Sequence, residues 1–255
     1  MFLLSLPLFA SIVTVIIGSS LFSVVLYHLI HLCWGRGISP ETKKTADVVA
    51  RQIGVIHAVV IGMMFTSVRV EYNQMIVAIE SEASALTRLY NAIERHGGEE
   101  LGDTKKRIIE YIRFVVEDQW PALREVRLEP SDREILGRKV LNRVWKDLDK
   151  IEYIPGDVNF KSLLDQVEDF RNQRLFDAKG KLLPVFWYIA LIGYVLTLLT
   201  LYLPPPSFRR CLLVSFYSSV VAVVLLGIFV LTHPYSYAAG VNPDVFQWLL
   251  SASSG

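Results

Sequence analysis

The chain has 255 residues, 52% of them hydrophobic, and its 26 Lys and Arg against 25 Asp and Glu leave a formal net charge of +1. A nearly neutral chain offers no bulk attraction for nucleic acid. The apolar residues are concentrated at the two ends: positions 1–35 carry no Lys, Arg, Asp or Glu, and Asp244 is the only one of these after Arg210. Two membrane-grade parts therefore flank one charged middle.

The first predicted element is a transmembrane helix within 7–34. It is too long for a signal peptide and lacks the basic start of one. His28 and His31 lie near its end, and Cys33 follows. Cys33 and Cys211 each sit at the edge of an apolar run, with no spacing that suggests a disulfide framework or a metal motif.

Span two is expected at about 48–70, forming with span one a hairpin over 1–70. Gly54, Ala58 and Gly62 are spaced by four and make a small-residue stripe. Such stripes let helices approach closely, either inside one subunit or at a subunit interface or pore. His57 is an ionisable group at membrane depth, with three readings: a packed neutral imidazole, a pore or gate residue, or a metal ligand. No nearby acid or His at i+4 supports a metal, and no metal site is expected. Ile61, Met64 and Val68 suit a hydrophobic gate. Thr66 and Arg69 mark the far end of the span. A ring of Arg69 side chains in an oligomer would attract anions, while a lone Arg69 would snorkel to head groups.

Nothing breaks the helix between Val48 and Arg95. At ~1.5 Å per residue, ~48 residues span roughly 70 Å, more than twice the ~30 Å hydrocarbon core. Span two is thus expected to run out of the bilayer into a helical soluble domain over 71–182. HGGEELGD at 96–103 is its first break. The stripe Ile108, Ile112, Val115, Trp120 predicts a second soluble helix, kinked or ended by Trp120-Pro121. Ser131 and Glu134 have capping-box spacing before a helix carrying Leu136, Val140, Val144 and Leu148. IPGD at 154–157 is a turn, and Phe160, Leu164, Val167 and Phe170 mark one more helix. Glu82 is placed to form a stalk salt bridge with Arg171 or Arg174.

A second membrane hairpin is expected over 183–232, with spans at about 184–203 and 211–231 separated by the prolines at 204–206. Trp187 reads as an interfacial anchor. The tail, 233–255, ends in a short helix capped by Asn242 with Pro243 in its first position. Phe246 and Trp248 suit that helix to the membrane interface. The fold expected is thus an all-α integral membrane protein with four transmembrane helices and a helical soluble insert between spans two and three.

Short-loop charge gives an orientation. Arg36, Lys43, Lys44 and Arg51 lie in or beside loop one, and Arg209 and Arg210 lie between spans three and four. The positive-inside rule places these loops in the cytoplasm, and the termini and soluble domain outside. Arg171, Arg174, Lys179 and Lys181 flank span three on the other side. No phosphate loop, dinucleotide fingerprint, HExxH, CxxC or local catalytic triad pattern occurs, so no enzyme and no cofactor are expected.

Six motifs in order extend this reading: GVIHAVVIGMMF at 54–65, EASALTRLYNA at 82–92, EDQWPAL at 117–123, RNQRL at 171–175, LPVFW at 183–187 and HPYSYAAGVNP at 233–243. Together they resemble the bestrophin-like family of bacterial membrane proteins, a domain-of-unknown-function family, across nearly the whole chain. The resemblance implies a homo-oligomer in the bacterial cytoplasmic membrane, in contact with lipid. It also implies an anion channel with four membrane helices per subunit, passing small inorganic ions such as chloride. Its soluble part would then be cytoplasmic, opposite to the loop charges. The family tends to place Tyr where this chain has His57. Two functions stand at this stage: an ion channel with span two lining the pore, or a membrane-anchored helical scaffold that binds a partner without transport.

Overall fold

A computed structural model describes residues 6–34, 39–96, 101–124, 132–150, 159–177, 183–201 and 205–253, and these are helical with no strand among them. Ser131 of the expected capping box and the turn at 154–157 lie outside the described residues. The chain divides into two compact units. Unit 1 comprises residues 1–70, 181–232 and 237–239; unit 2 comprises 71–180, 233–236 and 240–255.

Unit 1 contains α1 (Leu8–Trp34) and the first part of α2 (Pro40–His96). It also contains α7 (Pro184–Leu201) and α8 (Phe208–Leu231). α2 begins eight residues before the expected membrane boundary because local capping, not hydropathy, starts a helix. The Ser39 hydroxyl accepts the Thr42 N–H at 3.2 Å, and Pro40 occupies the first turn, where its missing N–H costs nothing. At 57 residues α2 is roughly 86 Å long.

α1 and α8 pack antiparallel. Ser20 and Ser219 hydroxyls meet at 3.0 Å, and the Tyr27 hydroxyl donates to the Pro205 carbonyl at 3.2 Å. Tyr27, Leu198 and Val214 form one apolar cluster of this unit. Another joins Ile61, Met64 and Val68 of α2 to Ala190 of α7 and to Val221 and Ile228 of α8. Large apolar side chains also cover the outside: Phe9, Leu21, Met63, Leu191, Leu213 and Val220 are all exposed. Such a surface is unfavourable in water and matched by hydrocarbon. By length and composition, α1, α2 and α8 are each able to cross a membrane. α7 is apolar but has only 18 residues, about 27 Å of helix.

Unit 2 contains the rest of α2, then α3 (Gly102–Phe114), a π-turn (Val115–Gln119) and α4 (Trp120–Arg124). α5 (Asp132–Asp149), α6 (Phe160–Asp177) and α9 (Asp244–Ser253) complete it. Trp120-Pro121 does not end the helix. The Trp120 N–H reaches the Val115 carbonyl, an i to i+5 bond, so the wider π register takes up the irregularity that Pro121 imposes. The core runs through Met75, Leu86 and Leu89 of α2, Ile108 and Ile112 of α3, Val144 of α5 and Leu164 of α6.

The tail corrects two expectations. Asn242 does not cap α9. Its Oδ1 accepts from Arg124 Nη2 at 2.6 Å, and the helix starts two residues later. Phe246 is not an interfacial anchor, because it is fully buried and its ring lies 6.0 Å from that of Trp120. With Leu249 also in the core, the apolar face of α9 covers unit 2 instead of lying on lipid; Trp248 is exposed. Gly240 has φ +73°, a left-handed backbone that suits glycine, and its N–H donates to the Ser236 carbonyl at 3.2 Å.

Candidate functional site

Within unit 1, the register of α2 sorts the predicted pore residues. Residues 57, 61, 64 and 68 are buried and follow alternating steps of four and three, the spacing of one helix face. His57, Ile61 and Met64 therefore do not face a pore, and Ile61, Met64 and Val68 form the unit's own core instead of a gate. Ala58, Gly62, Thr66 and Arg69 lie on the exposed side, and Gly54 is half-buried. A Cβ built on Gly54 or on Gly62 would meet nothing within 4 Å. The small-residue stripe thus does not serve packing inside the described chain. The Thr66 hydroxyl donates back to the Gly62 carbonyl at 2.9 Å, which settles its proton and leaves its lone pairs outward-capable.

His57 is held by α7. Its Nε2–H donates to the Ala190 carbonyl at 2.8 Å, and a Cβ on Gly193 would lie 2.5 Å from its Cδ2. The imidazole lies against Gly193, which leaves no room there for a side chain. One polar group in an apolar setting is thus hydrogen-bonded, as burial demands. Beside it opens an apolar cavity of about 280 Å³ lined by Ile53, Ile56 and Val60 of α2 and Ile189 and Ile192 of α7. Trp187 is half-buried and packs edge-on against Phe229 at 6.2 Å.

Within unit 2, the expected stalk ion pair becomes a buried polar network. Glu82 Oε2 accepts from Arg174 Nε at 2.6 Å and Oε1 from Arg174 Nη2 at 3.2 Å, a two-pronged pair with both side chains fully enclosed. The Tyr111 hydroxyl donates to Glu82 Oε1 at 2.6 Å, and Arg174 Nη2 also donates to Gln119 Oε1 at 2.9 Å. The guanidinium carbon lies 5.7 Å from the Trp120 ring centre and 5.8 Å from that of Phe246. Four segments distant in sequence therefore converge on one charge pair. Arg171, the other predicted partner, is buried too, with Nη1 donating to Asn172 Oδ1 at 3.4 Å. Gly137 lets α5 approach this region: a Cβ there would meet Phe114 Cε1 at 2.9 Å and Arg171 Nη2 at 3.4 Å.

Burial opposes the charge on Arg174, but the Glu82 carboxylate and its hydrogen bonds outweigh it and hold the guanidinium above its ordinary pKa. Burial, reinforced by Glu82, also pushes the Tyr111 phenol well above its ordinary 10.0. Unfolding returns the phenol to that ordinary value. The stability it contributes is therefore complete below pH 10.0 and drains away as pH rises from there towards the folded value. Tyr111→Phe is expected to flatten this alkaline decline in a series of melting curves, while costing about 1.5–3 kcal/mol at neutral pH for the lost bond to a carboxylate. An unchanged alkaline slope would remove Tyr111 as its source.

Tyr111, Gln119 and Gly193 were not singled out from the sequence. Tyr111 sits between Ile108 and Ile112 and reads as core, Gln119 gains its place through the π-turn, and Gly193 is one glycine in an apolar run. The molecule is thus an all-helical protein with helices suited to a membrane and a second unit built around a buried ion pair. The bestrophin-like domain matches residues 17–246, most of the chain, and the chain belongs to that family. No curated protein and no solved structure matches it.

Proposed function

We propose that the protein is a homo-oligomeric ion channel that conducts anions, chloride among them, with the exposed face of α2 turned to the pore. The observation that carries this reading is the stripe Ala58, Gly62, Thr66, Arg69: exposed, turned away from the buried residues, and uncontacted at Gly62. Small side chains keep an axis open, and a ring of Arg69 at its end favours anions. Membership of the bestrophin-like family supports a channel as the class. In this reading α7 is the fourth span, the protein sits in the bacterial cytoplasmic membrane among its lipids, and it catalyses no reaction. The charges of the short loops favour cytoplasmic loops, with the termini and unit 2 outside.

The test is ion flux from liposomes holding the purified oligomer, with chloride and potassium gradients measured separately. Wild-type protein is expected to release chloride selectively. Gly62→Leu is expected to lower that flux at least about tenfold by narrowing the axis. Gly62 is exposed and a Cβ there meets nothing within 4 Å, so the added side chain starts outside the core of unit 1. Equal flux from wild type and variant would exclude this face of α2 as the path. No flux from inserted, oligomeric protein would favour the scaffold reading, for which unit 2, with its closed core, is the working part.

A further inference from the structure

At one end of unit 1 a cavity of about 510 Å³ opens between α1 and α8. It falls in the range of small-molecule sites. Its lining mixes polar and apolar side chains. Val24 of α1 and Leu212 and Ser215 of α8 lie deeper in their helices, while His28, Pro206, Ser207 and Phe208 lie towards the helix ends. His28 is six residues from the end of α1 and Ser215 seven from the start of α8, so the cavity reaches about 10 Å into the spans. That depth covers the headgroup layer and the first part of the hydrocarbon.

The polar end has uncommitted groups and positive charge beside it. Ser207 precedes α8 in an extended conformation, and its hydroxyl makes no capping hydrogen bond. His28 uses Nδ1 on its own helix, 2.9 Å from the Val24 carbonyl, which leaves Nε2 as its other polar atom. Arg209 and Arg210 follow Ser207 after one intervening residue, Phe208, and both are exposed. Arg210 Nη1 donates to the Pro205 carbonyl at 2.8 Å, which keeps this guanidinium at the turn before α8. α2 starts at the same end of unit 1, with Lys43 and Lys44 beside Glu41 and Asp47 in its first turns. No Asp or Glu occurs in α1 or α8, or at positions 178–207.

We infer that this cavity is a binding site for one anionic phospholipid, its phosphate between Ser207, His28 and the Arg209-Arg210 pair and its glycerol and upper acyl chain against Val24 and Leu212. Positive charge at the mouth alone would suit any anion. The setting, between two helices suited to a membrane and with apolar Val24 and Leu212 in the wall, is what favours a lipid over a free phosphate. The apolar rim supports this, since Leu212 is exposed one turn below the mouth, where an acyl chain would continue the contact. The inference is independent of whether the protein conducts.

The test is retention of lipid by the full-length purified protein in detergent, read by native mass spectrometry after addition of phosphatidylglycerol or phosphatidylcholine. Wild type is expected to keep one phosphatidylglycerol per chain with at least about tenfold preference over phosphatidylcholine. Arg209→Gln with Arg210→Gln is expected to abolish the preference. Leu212→Trp, which fills the cavity and leaves every charge in place, is expected to lose retention as well. Loss in the charge variant with full retention in Leu212→Trp would mean diffuse attraction to a basic surface and would overturn the site. Equal retention of both lipids by wild type would also overturn it. Displacement of the lipid by millimolar inorganic phosphate would identify an anion site and refute the lipid. Circular dichroism and size-exclusion profiles matching wild type qualify each variant for comparison.

Discussion

Replacing Glu82 by Ala is expected to destabilise the protein by about 3–5 kcal/mol, more than any surface change. The pair with Arg174 is fully enclosed, with Nε to Oε2 at 2.6 Å. Removing the carboxylate leaves a buried guanidinium with no opposing charge from Glu82 and strips the Tyr111 hydroxyl of its acceptor. Arg174→Met should cost a similar amount, because it leaves the carboxylate buried with only the Tyr111 hydroxyl of these bonds. The informative variant removes both. Glu82→Leu with Arg174→Met eliminates the two charges together, and their desolvation costs with them, so the double change should be less damaging than the sum of the singles. Thermal melting of the full-length variants, with hydrogen exchange at the amides of 111–120, gives the comparison. Strict additivity would mean that the two groups are energetically independent and that the network does not fix the π-turn.

That expectation reflects where the network sits. Glu82 is on the long helix, Tyr111 on α3, Gln119 in the π-turn and Arg174 on α6. A close-packed apolar core accepts several registers at small cost, whereas a two-pronged charge pair accepts few. The network therefore selects one alignment of these helices, with the rings of Trp120 and Phe246 closing over the guanidinium. A loss at Glu82 should be felt at Gln119, which shares Arg174 Nη2 with it.

The sequence carried the architecture well because the fold is written in long periodic runs. The continuity of α2 beyond its apolar stretch followed from the lack of any breaker, and the pairing of Glu82 with an Arg on the returning helix followed from charge in an otherwise apolar face. What stayed hidden was orientation. Around residues 53–70 nearly every position is apolar, so hydropathy could not say which side of α2 was inward, and Ile61 and Met64 were assigned to a pore they do not face. Phe246 failed for a related reason: an aromatic residue on a short amphipathic helix suits a membrane interface and a protein core equally, and only Trp120 decides between them. The partners of Glu82 beyond Arg174 were invisible because Tyr111 lies in an apolar stripe and Gln119 depends on an i to i+5 turn.

Gly193→Ala should be the most damaging single methyl in the membrane unit. The added Cβ would lie 2.5 Å from His57 Cδ2, 3.1 Å from Cγ and 3.2 Å from Nε2, so it would press on the face of the ring rather than on one flexible tip. The ring can yield only by leaving the Ala190 carbonyl, which it meets at 2.8 Å. Overpacking costs about 1–3 kcal/mol, and a buried N–H left without an acceptor costs about 1–3 kcal/mol more. His57→Ala removes both the ring that clashes and the donor that would be orphaned. On that background Gly193→Ala should be nearly neutral, whatever His57→Ala costs by itself. Detergent-resistant oligomer content and melting temperature across the four members of this cycle measure the coupling. Coupling close to the whole cost of Gly193→Ala would establish that the glycine serves the imidazole. If the methyl is equally harmful with His57 absent, the close approach at Gly193 has another beneficiary, and the histidine merely occupies the space.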